Sequence, residues 1–267
     1  EDIMELIPLF SGSSGNSILV RACGKNLLFD LGQSCKRIDE ALRPVGTDPD
    51  HIDGIFITHL HSDHVSGVDV FVRKHRAPIF ATLSTHRYIA KICKKEHDSN
   101  LDIVVNENDV IDFDENIKIF TCSTPHDVQG SVCFKVEAEG KACVIMTDLG
   151  HVTEQIRGMA EGANGVLIES NYDLDMLKNG PYDYMLKKRV GGPDGHLSNT
   201  DCAEMIRHLL ENGTHQFILG HLSENNNLPE LAFNTVKHYL SQNYYTLDED
   251  YSLWVANRYE PSRGLVL

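Results

Sequence analysis

The residues with the clearest chemical potential are three histidines and an aspartate in the segment Thr58-His59-Leu60-His61-Ser62-Asp63-His64. This segment follows Gly54–Thr58, an apolar run typical of a buried strand. We therefore expect the cluster on a loop at a strand end, where functional groups concentrate. Imidazole and carboxylate groups are the ligands that zinc and similar divalent ions prefer. The alternative is a solvated polar loop that binds nothing.

Three more candidate ligands come at or just after the ends of later apolar runs. They are His126, Asp148 and His221. In layered α/β folds, loops at the strand ends assemble the functional sites. Taken singly, each residue has an ordinary alternative role, as a core or cap histidine or as a turn aspartate. Together with the first cluster they exceed the needs of one tetrahedral ion, so the pattern is consistent with two ions that Asp148 could bridge.

Seven other histidines lie in predicted helices or loops, and we interpret them as surface residues. They are His51, His75, His86, His97, His208, His215 and His238. We do not expect them to bind metal.

The elements that must position the candidate ligands alternate between strands and helices. Apolar runs predict strands at Met4–Phe10, Ser17–Arg21, Asn26–Asp30, Gly54–Thr58, Pro78–Ala81, Asp102–Val105, Ile117–Thr121, Val132–Ala138, Ala142–Thr147, Gly165–Glu169 and Gln216–Gly220. Helical spacing and caps predict helices at Ser34–Leu42, Ser66–His75, Ser84 to about Lys94, Tyr182–Val190, Ser198–Leu210 and Leu228–Ser241. This succession indicates an α/β fold with layered sheets and outer helices. No linker or clear repeat divides the chain, so we expect one domain spanning residues 1–267.

The composition excludes several classes of protein. Hydrophobic residues make up 41% and charged residues 24%, which is ordinary globular usage and rules out a disordered or coiled-coil chain. The net charge of −15 argues against a broad basic face for nucleic acid, although bound metal cations could reverse the local potential. The seven cysteines include no CxxC pair, and no signal peptide or membrane span is evident. We therefore expect a reduced, cytoplasmic compartment.

The segment Thr58–His64 resembles the HxHxDH signature of the metallo-β-lactamase superfamily. The order of the remaining candidates, from Asp30 at the end of an early strand to His221, is similar to that superfamily over most of the chain. The resemblance implies a four-layer αββα sandwich with a dinuclear metal site at one edge of its two sheets. It also implies that His59, His61 and His126 hold one ion, that Asp63, His64 and His221 hold the other, and that Asp148 and a hydroxide bridge them.

Within the superfamily, four further segments look most like the YycJ (WalJ) group of bacterial proteins. They are Phe10–Ser17, Glu169–Asp173, Gly195–Asn199 and Leu219–Asn226. Members of that group are described as 5′-to-3′ exonucleases on double-stranded DNA. The chain also resembles the ribonuclease Z branch, in which a His-Ser-Thr segment precedes the last metal histidine, as His196-Leu-Ser does here. The resemblance thus implies DNA as substrate, with RNA as the alternative.

The candidate ligands suggest roles for their neighbours in a two-metal phosphodiesterase, where the ions activate a water and offset charge on the phosphate. Asp63 is expected to bind one ion and to accept a proton from the water. His196 is a candidate phosphate contact or general acid, or simply a polar residue before a helix cap. Asp30 is expected to accept a hydrogen bond from a ligand histidine, unless it is only a turn residue.

Weaker candidates lie in two loops and one helix. Asn16 and Ser17 are candidate substrate-binding residues, although a hairpin turn is the simpler explanation. We interpret Glu169, Asn171 and Asp173 as an ordinary loop after a strand. An aromatic and basic run could stack on and attract a nucleic-acid strand, or could simply be the solvated face of a helix. It comprises Tyr182, Tyr184, Lys187, Lys188 and Arg189.

These observations predict a dinuclear-metal-dependent phosphodiester hydrolase that uses a metal-bridging hydroxide, and the resemblance implies a 5′-to-3′ DNA exonuclease. The metal is zinc or manganese, with iron as a further option, because histidine-rich sites accept all three. The alternative is a hydrolase of a small thioester, lactone or cyclic phosphodiester, because the same site does not fix the substrate. A non-hydrolytic binding or redox protein is disfavoured, since no flavin-binding domain follows and all seven expected ligands are present.

Overall fold

The computed structural model describes residues 3–93 and 98–267, and in these ranges fourteen strands form two seven-stranded sheets. The strands are β1 (Glu5–Phe10), β2 (Ser17–Ala22), β3 (Lys25–Phe29), β4 (Gly54–Phe56), β5 (Ile79–Thr82), β6 (Asp102–Val105), β7 (Val110–Asp112), β8 (Ile117–Ser123), β9 (Val132–Ala138), β10 (Lys141–Met146), β11 (Gly165–Glu169), β12 (Gln216–Gly220), β13 (Ser252–Val255) and β14 (Leu265–Val266). The first sheet has the order β14-β1-β2-β3-β4-β5-β6, and the second has the order β13-β12-β11-β10-β9-β8-β7.

Nine α-helices connect these strands within the described ranges. They are α1 (Cys35–Leu42), α2 (Ser62–Val65), α3 (Val68–His75), α4 (Leu83–Ile92), α5 (Glu154–Ala160), α6 (Leu174–Asn179), α7 (Tyr184–Val190), α8 (Asn199–Glu211) and α9 (Pro229–Gln242). None of them has the length and apolar character that crossing a bilayer requires. All seven cysteines lie in the described ranges, and none of them forms a disulfide.

Each sheet combines an antiparallel half with a parallel half. In the first sheet the strands from β1 to β3 form an antiparallel meander, and those from β3 to β6 run parallel. The second sheet repeats this plan, with antiparallel pairing from β7 to β10 and parallel pairing from there to β13. Parallel neighbours need a crossover connection, and helices provide these connections here. The parallel strands therefore end at one edge in loops that lead into helices.

The sheets pack face to face, and helices cover both outer faces. Along β10, Cys143 and Ile145 enter the core between the sheets, whereas Val144 and Met146 pack beneath α5, α8 and α9. Helices α1, α3 and α4 cover the outer face of the first sheet. This alternation explains why the strands are almost continuously apolar in sequence: both of their faces are buried. The predicted four-layer αββα arrangement is confirmed.

The predicted helices agree with the structure except near their ends. Helix α1 is capped by Ser34, whose side chain accepts a hydrogen bond from the Arg37 amide. The helix predicted from Ser66 begins at Val68, because a separate single turn, α2, precedes it. The predicted end of α4 at Lys94 lies outside the described residues, and α4 itself ends at Ile92.

The expectation that seven histidines lie at the surface is wrong for two of them. His86 is 9% exposed and contacts the carbonyl of Ile103, and the side chain of His75 is only 2% exposed. His75 is the last residue of α3, and the neighbouring α1 covers one side of this helix end. His51, His215 and His238 are exposed, as expected. His208 is partly exposed, and His97 lies outside the described residues.

Candidate metal centre

The seven predicted ligands come together at the edge where strands of both sheets end. Four come from the segment after β4, either in its loop or in α2. The other three follow β8, β10 and β12 of the second sheet. Their side chains form two groups of converging nitrogen and oxygen atoms. The groups are His59, His61 and His126 on one side, Asp63, His64 and His221 on the other, with Asp148 between them.

The first group is a trio of imidazoles. His61 Nδ1 lies 3.0 Å from His59 Nε2 and 3.2 Å from His126 Nε2. Asp148 Oδ1 approaches the trio, at 3.7 Å from His126 Nε2 and 4.0 Å from His59 Nε2. Two of the three rings, His59 and His126, are buried. These four atoms can surround one cation.

The second group combines two imidazoles with two carboxylates. Asp63 Oδ2 lies 3.4 Å from His64 Nε2 and 3.3 Å from His221 Nε2. Asp148 Oδ2 lies 3.3 Å from His64 Nε2. Asp148 therefore directs one oxygen towards each group, which is the arrangement of a carboxylate that bridges two cations.

The donor atoms fit divalent cations. Bonds of about 2.0 to 2.3 Å around a tetrahedral ion place its ligands about 3.3 to 3.7 Å apart, close to the separations found here. Asp148 Oδ2 is buried without a hydrogen-bond partner, a costly state that a bound cation would relieve. In the trio, three ring nitrogens face one point, and the protons on the rings cannot provide a hydrogen-bond partner for all three. A cation between the rings would satisfy all of them.

Two of the predicted ligands, Asp148 and His59, have protonation states that suit metal binding. Burial would raise the pKa of Asp148, but nearby His221 and His64 hold it well below the ordinary value. Burial, reinforced by the neighbouring His64, lowers the pKa of His59 well below that of a free imidazole. The bridging carboxylate is therefore ionised and His59 is neutral, as ligands must be.

Hydrogen bonds on the far side of the rings fix the ligand orientations. His64 Nδ1 donates to Asp30 Oδ2 at 2.7 Å, and the Thr58 amide donates to Asp30 Oδ1 at 2.8 Å. His126 Nδ1 donates to the carbonyl of Gly195 at 3.1 Å. Such contacts set which ring nitrogen faces the metal. Asp30 thus lies where the sequence predicts a carboxylate that supports a ligand histidine.

The interpretation of Glu169 as an ordinary loop residue is wrong. Glu169 ends β11, is fully buried, and accepts hydrogen bonds at 2.7 Å from Nδ1 of both His196 and His221. Its other oxygen accepts from the amides of Leu149 and Leu197. Burial would raise its pKa, but His196 and then His221 lower it to about 2. A glutamate that ends an apolar strand is a detectable signal, because buried carboxylates require partners.

Two further contacts were not anticipated from the sequence. Asp127 Oδ1 lies 3.3 Å from His61 Nε2, and its other oxygen pairs with Arg189 of α7. Asn171 is buried, and its amide donates to the carbonyl of His221 at 2.8 Å. The position of Asp127 directly after a candidate ligand is the signal that could have identified it. Asn171 also departs from the expected ordinary loop, whereas Asp173 serves as the N-cap of α6.

His196 lies beside both ligand groups. Its Nδ1 contacts Glu169, its ring lies 5.2 Å from that of His126, and its side chain is 19% exposed. Burial disfavours the charged ring, but the Glu169 carboxylate outweighs this and raises the pKa of His196 above the ordinary value. With Nδ1 engaged, Nε2 is the nitrogen left for a substrate.

An open cleft of about 350 Å³ lies over the ligand groups. Its walls include Asp63, Asp148 and His196 from the centre. Leu186 and Arg189 of α7 and the preceding Tyr182 form another part of the lining. Two residues of the aromatic and basic run, Tyr182 and Arg189, therefore border the centre.

The structure corrects the expectation that Ser17 and Asn16 line the cleft. Ser17 is fully buried in β2, so its side chain cannot reach a substrate. Asn16 is 1% exposed, and its amide lies 3.2 Å from His64 Nε2 and 3.4 Å from Asp63 Oδ2. It contacts two ligand atoms of the second group directly. This packing requires Gly32, because a Cβ there would lie 1.8 Å from the Asp63 carbonyl.

Three of the centre's residues have left-handed backbone conformations. Asp30, Asp148 and His221 have φ values of 62°, 61° and 53°, and each follows the end of a strand. Such values are uncommon outside glycine, although aspartate and histidine tolerate them better than most residues. The turn directs each side chain away from the alternation of the strand and towards the centre. Local strain of this kind concentrates at functional sites.

Comparison with known proteins agrees with this geometry. The chain is 37% identical over 240 residues to the exodeoxyribonuclease WalJ of Streptococcus pneumoniae. The aligned region covers 88% of this chain and 87% of that protein. It is 29% identical over 245 residues to the exodeoxyribonuclease YycJ of Bacillus anthracis, covering 92% of each. Among solved structures, the metallo-beta-lactamase fold protein YhfI from Bacillus subtilis superposes with a TM-score of 0.74 at 15% identity, covering 98% of this chain and 99% of YhfI.

The family match spans the elements that carry the centre. Residues 11–221 match the metallo-beta-lactamase superfamily, and this range runs from the loop before β2 to the last ligand histidine. The match to this superfamily implies divalent metal binding, and the two ligand groups provide donor atoms that fit it. The chain belongs to the metallo-beta-lactamase superfamily.

Proposed function

We propose that the protein is a dinuclear-metal-dependent exonuclease that hydrolyses phosphodiester bonds of DNA. The observation that carries this proposal is that Tyr182, just before α7, and Arg189 on α7 line the cleft over the two ligand groups. Two full-length relatives bear the name exodeoxyribonuclease, which supports the same conclusion. We expect zinc or manganese as the metal. We infer the 5′-to-3′ polarity of cleavage from the resemblance to the YycJ (WalJ) group.

The residues of the chain divide the catalytic work. When bound, divalent cations supply an activated water and neutralise charge on the phosphate. Asp63 would hold the second ion and accept a proton, because its Oδ2 lies 3.4 Å from His64 Nε2 and the residue lines the cleft. His196 contacts the phosphate or protonates the leaving oxygen through Nε2. Glu169 keeps the His196 ring in place through Nδ1.

Helix α7 supplies what a nucleic-acid strand needs from a protein of net charge −15. Tyr184 is 76% exposed, so its ring is available to stack on a base. Lys188 and Arg189 place positive charge on the same short helix.

The test is digestion of a DNA duplex labelled at its 5′ or 3′ end by the metal-loaded protein. We expect Mn²⁺- or Zn²⁺-dependent release of nucleotides from the 5′ end, abolished by Asp63→Ala. Asp112→Ala, a change at an exposed aspartate on β7, should leave activity unchanged. Intact DNA together with rapid cleavage of a thioester or a phosphodiester dye would contradict the proposal and favour the small-substrate hydrolase.

A further inference from the structure

A second cluster of metal-ligating side chains lies outside the cleft, on the outer face of the first sheet. Cys35 and Asp39 are four residues apart on α1, so they lie on the same face of that helix. His75 ends the neighbouring α3. All three side chains are buried, at 5% exposure for Cys35, 4% for Asp39 and 2% for the His75 side chain.

The ligand atoms of this cluster have the spacing of one coordination sphere. Cys35 Sγ lies 3.8 Å from both Asp39 Oδ1 and His75 Nε2, and these last two atoms are 2.9 Å apart. A tetrahedral zinc ion with bonds of about 2.0 to 2.3 Å holds sulfur, nitrogen and oxygen ligands about 3.3 to 3.6 Å apart. Small shifts of the side chains would therefore bring all three onto one ion.

The outer contacts of the cluster match those that support metal ligands. His75 Nδ1 hydrogen-bonds to Asp50, which leaves Nε2 facing the cluster. Lys74 pairs with Asp39 Oδ2, which leaves Oδ1 for the ion. A carboxylate behind a ligand histidine and a partner on the free carboxylate oxygen are both typical of metal sites. The cavity beside them, about 390 Å³ in volume, has room for a water as the fourth ligand.

The same groups are unsuited to covalent catalysis. A nucleophilic cysteine needs a lowered pKa. Here burial, and then the charge of Asp39, raise the pKa of the Cys35 thiol to about 11. A thiol with this environment is not an activated nucleophile, although a bound metal ion would still displace its proton to solvent.

We propose that Cys35, Asp39 and His75 form a mononuclear site for a divalent transition metal, with Zn²⁺ as the expected ion. The site is separate from the centre in the cleft and does not depend on the proposed nuclease activity. By joining α1 to α3 it would stabilise the helical layer that covers the first sheet.

Cobalt substitution tests this proposal, because a thiolate bound to Co²⁺ gives a charge-transfer band in the near ultraviolet. The centre in the cleft has only nitrogen and oxygen ligands and cannot give this band. We expect metal-free protein titrated with Co²⁺ to develop it and Cys35→Ser to abolish it. Cys93→Ser, at the end of α4, should retain it. The Zn²⁺ content of Cys35→Ser should fall by one equivalent per chain.

Absence of the band, or its persistence in Cys35→Ser, would overturn the proposal and leave a cluster held by hydrogen bonds alone. Circular dichroism checks that Cys35→Ser is folded. If it is not, Asp50→Ala decides, because Asp50 lies at an exposed turn and the substitution removes its contact to His75 Nδ1. A Co²⁺ affinity about 10- to 100-fold weaker supports the site, whereas an unchanged affinity overturns it.

Discussion

Asp148 serves both ligand groups, and this makes it the residue on which the centre depends most. Its two oxygens face different groups, and one of them has no other partner. We expect Asp148→Ala to lose tight binding of both ions and all detectable nuclease activity. Metal analysis of the purified variant measures this directly. Asp112→Ala is the control at an exposed site, and full retention of both ions by Asp148→Ala would contradict a shared ligand.

Glu169 positions two histidines at once, so its charge should matter more than its size. We expect Glu169→Gln to lower activity about 10- to 100-fold, the usual effect of losing a carboxylate behind a ligand histidine. The matched control is Glu161→Gln, because Glu161 makes the same 2.7 Å contact with His208 at the surface. Steady-state rates at saturating metal compare the two. Equal activities would show that Glu169 has no positioning role.

At the scale of residues, the sequence predicts local patterns better than distant partners. The histidines and aspartate of Thr58–His64 are recognisable because their spacing within one loop is itself the signal. Glu169, Asp127 and Asn171 were missed because their partners lie far along the chain or in another element. His75 was misassigned because nothing local shows that α1 covers its end of α3.

At the scale of elements, helix α7 gives the main structural support for nucleic acid as the substrate. We expect Lys188→Glu to weaken DNA binding and to reduce the slope of log affinity against log salt by about one, as loss of one phosphate contact does. Lys237→Glu on α9 is the control, because it also reverses an exposed lysine but lies on another helix. Binding isotherms at several salt concentrations measure the slope. Identical slopes for the two variants would remove α7 from the interface.

The start of α8 holds the segment that contains His196. Ser198 and Asp201 form a reciprocal capping box, in which each side chain accepts a hydrogen bond from the other residue's amide. We expect Ser198→Ala to lower the free energy of unfolding by about 1 kcal/mol. Ser198→Thr should keep most of it. Urea unfolding measures both, and equal stability of Ser198→Ala and the parent chain would mean that the cap contributes nothing.

Central strands are predictable here, and three of the four edge strands are not. Each of the eleven predicted strands corresponds to an observed one, because strands buried on both faces are continuously apolar. The strands that escaped prediction, β7, β13 and β14, all lie at sheet edges. Edge strands are short and partly exposed, so they lack the apolar run that signals a strand. Short helices such as α2 and α6 were also not predicted, because they too are short.

At the scale of the whole molecule, bound metal would link the two sheets. Ligands after β4 belong to the first sheet, and those after β8, β10 and β12 belong to the second. An ion at a hundred times its dissociation constant stabilises the fold by about 2.7 kcal/mol. We therefore expect EDTA to lower the melting temperature by about 5 to 10 °C. A reducing agent should leave it unchanged, because none of the seven cysteines, all in the described ranges, forms a disulfide. Calorimetry measures both, and an unchanged melting point in EDTA would contradict the link.

The division of the ligands between the two sheets also governs when the protein becomes active. Asp63 and its partner His221 are 158 positions apart, and the whole of the second sheet up to β12 lies between them. A nascent chain on the ribosome cannot assemble the second ligand group until His221 has emerged. Under the proposed function, a truncated copy that lacks His221 is therefore unable to cut DNA.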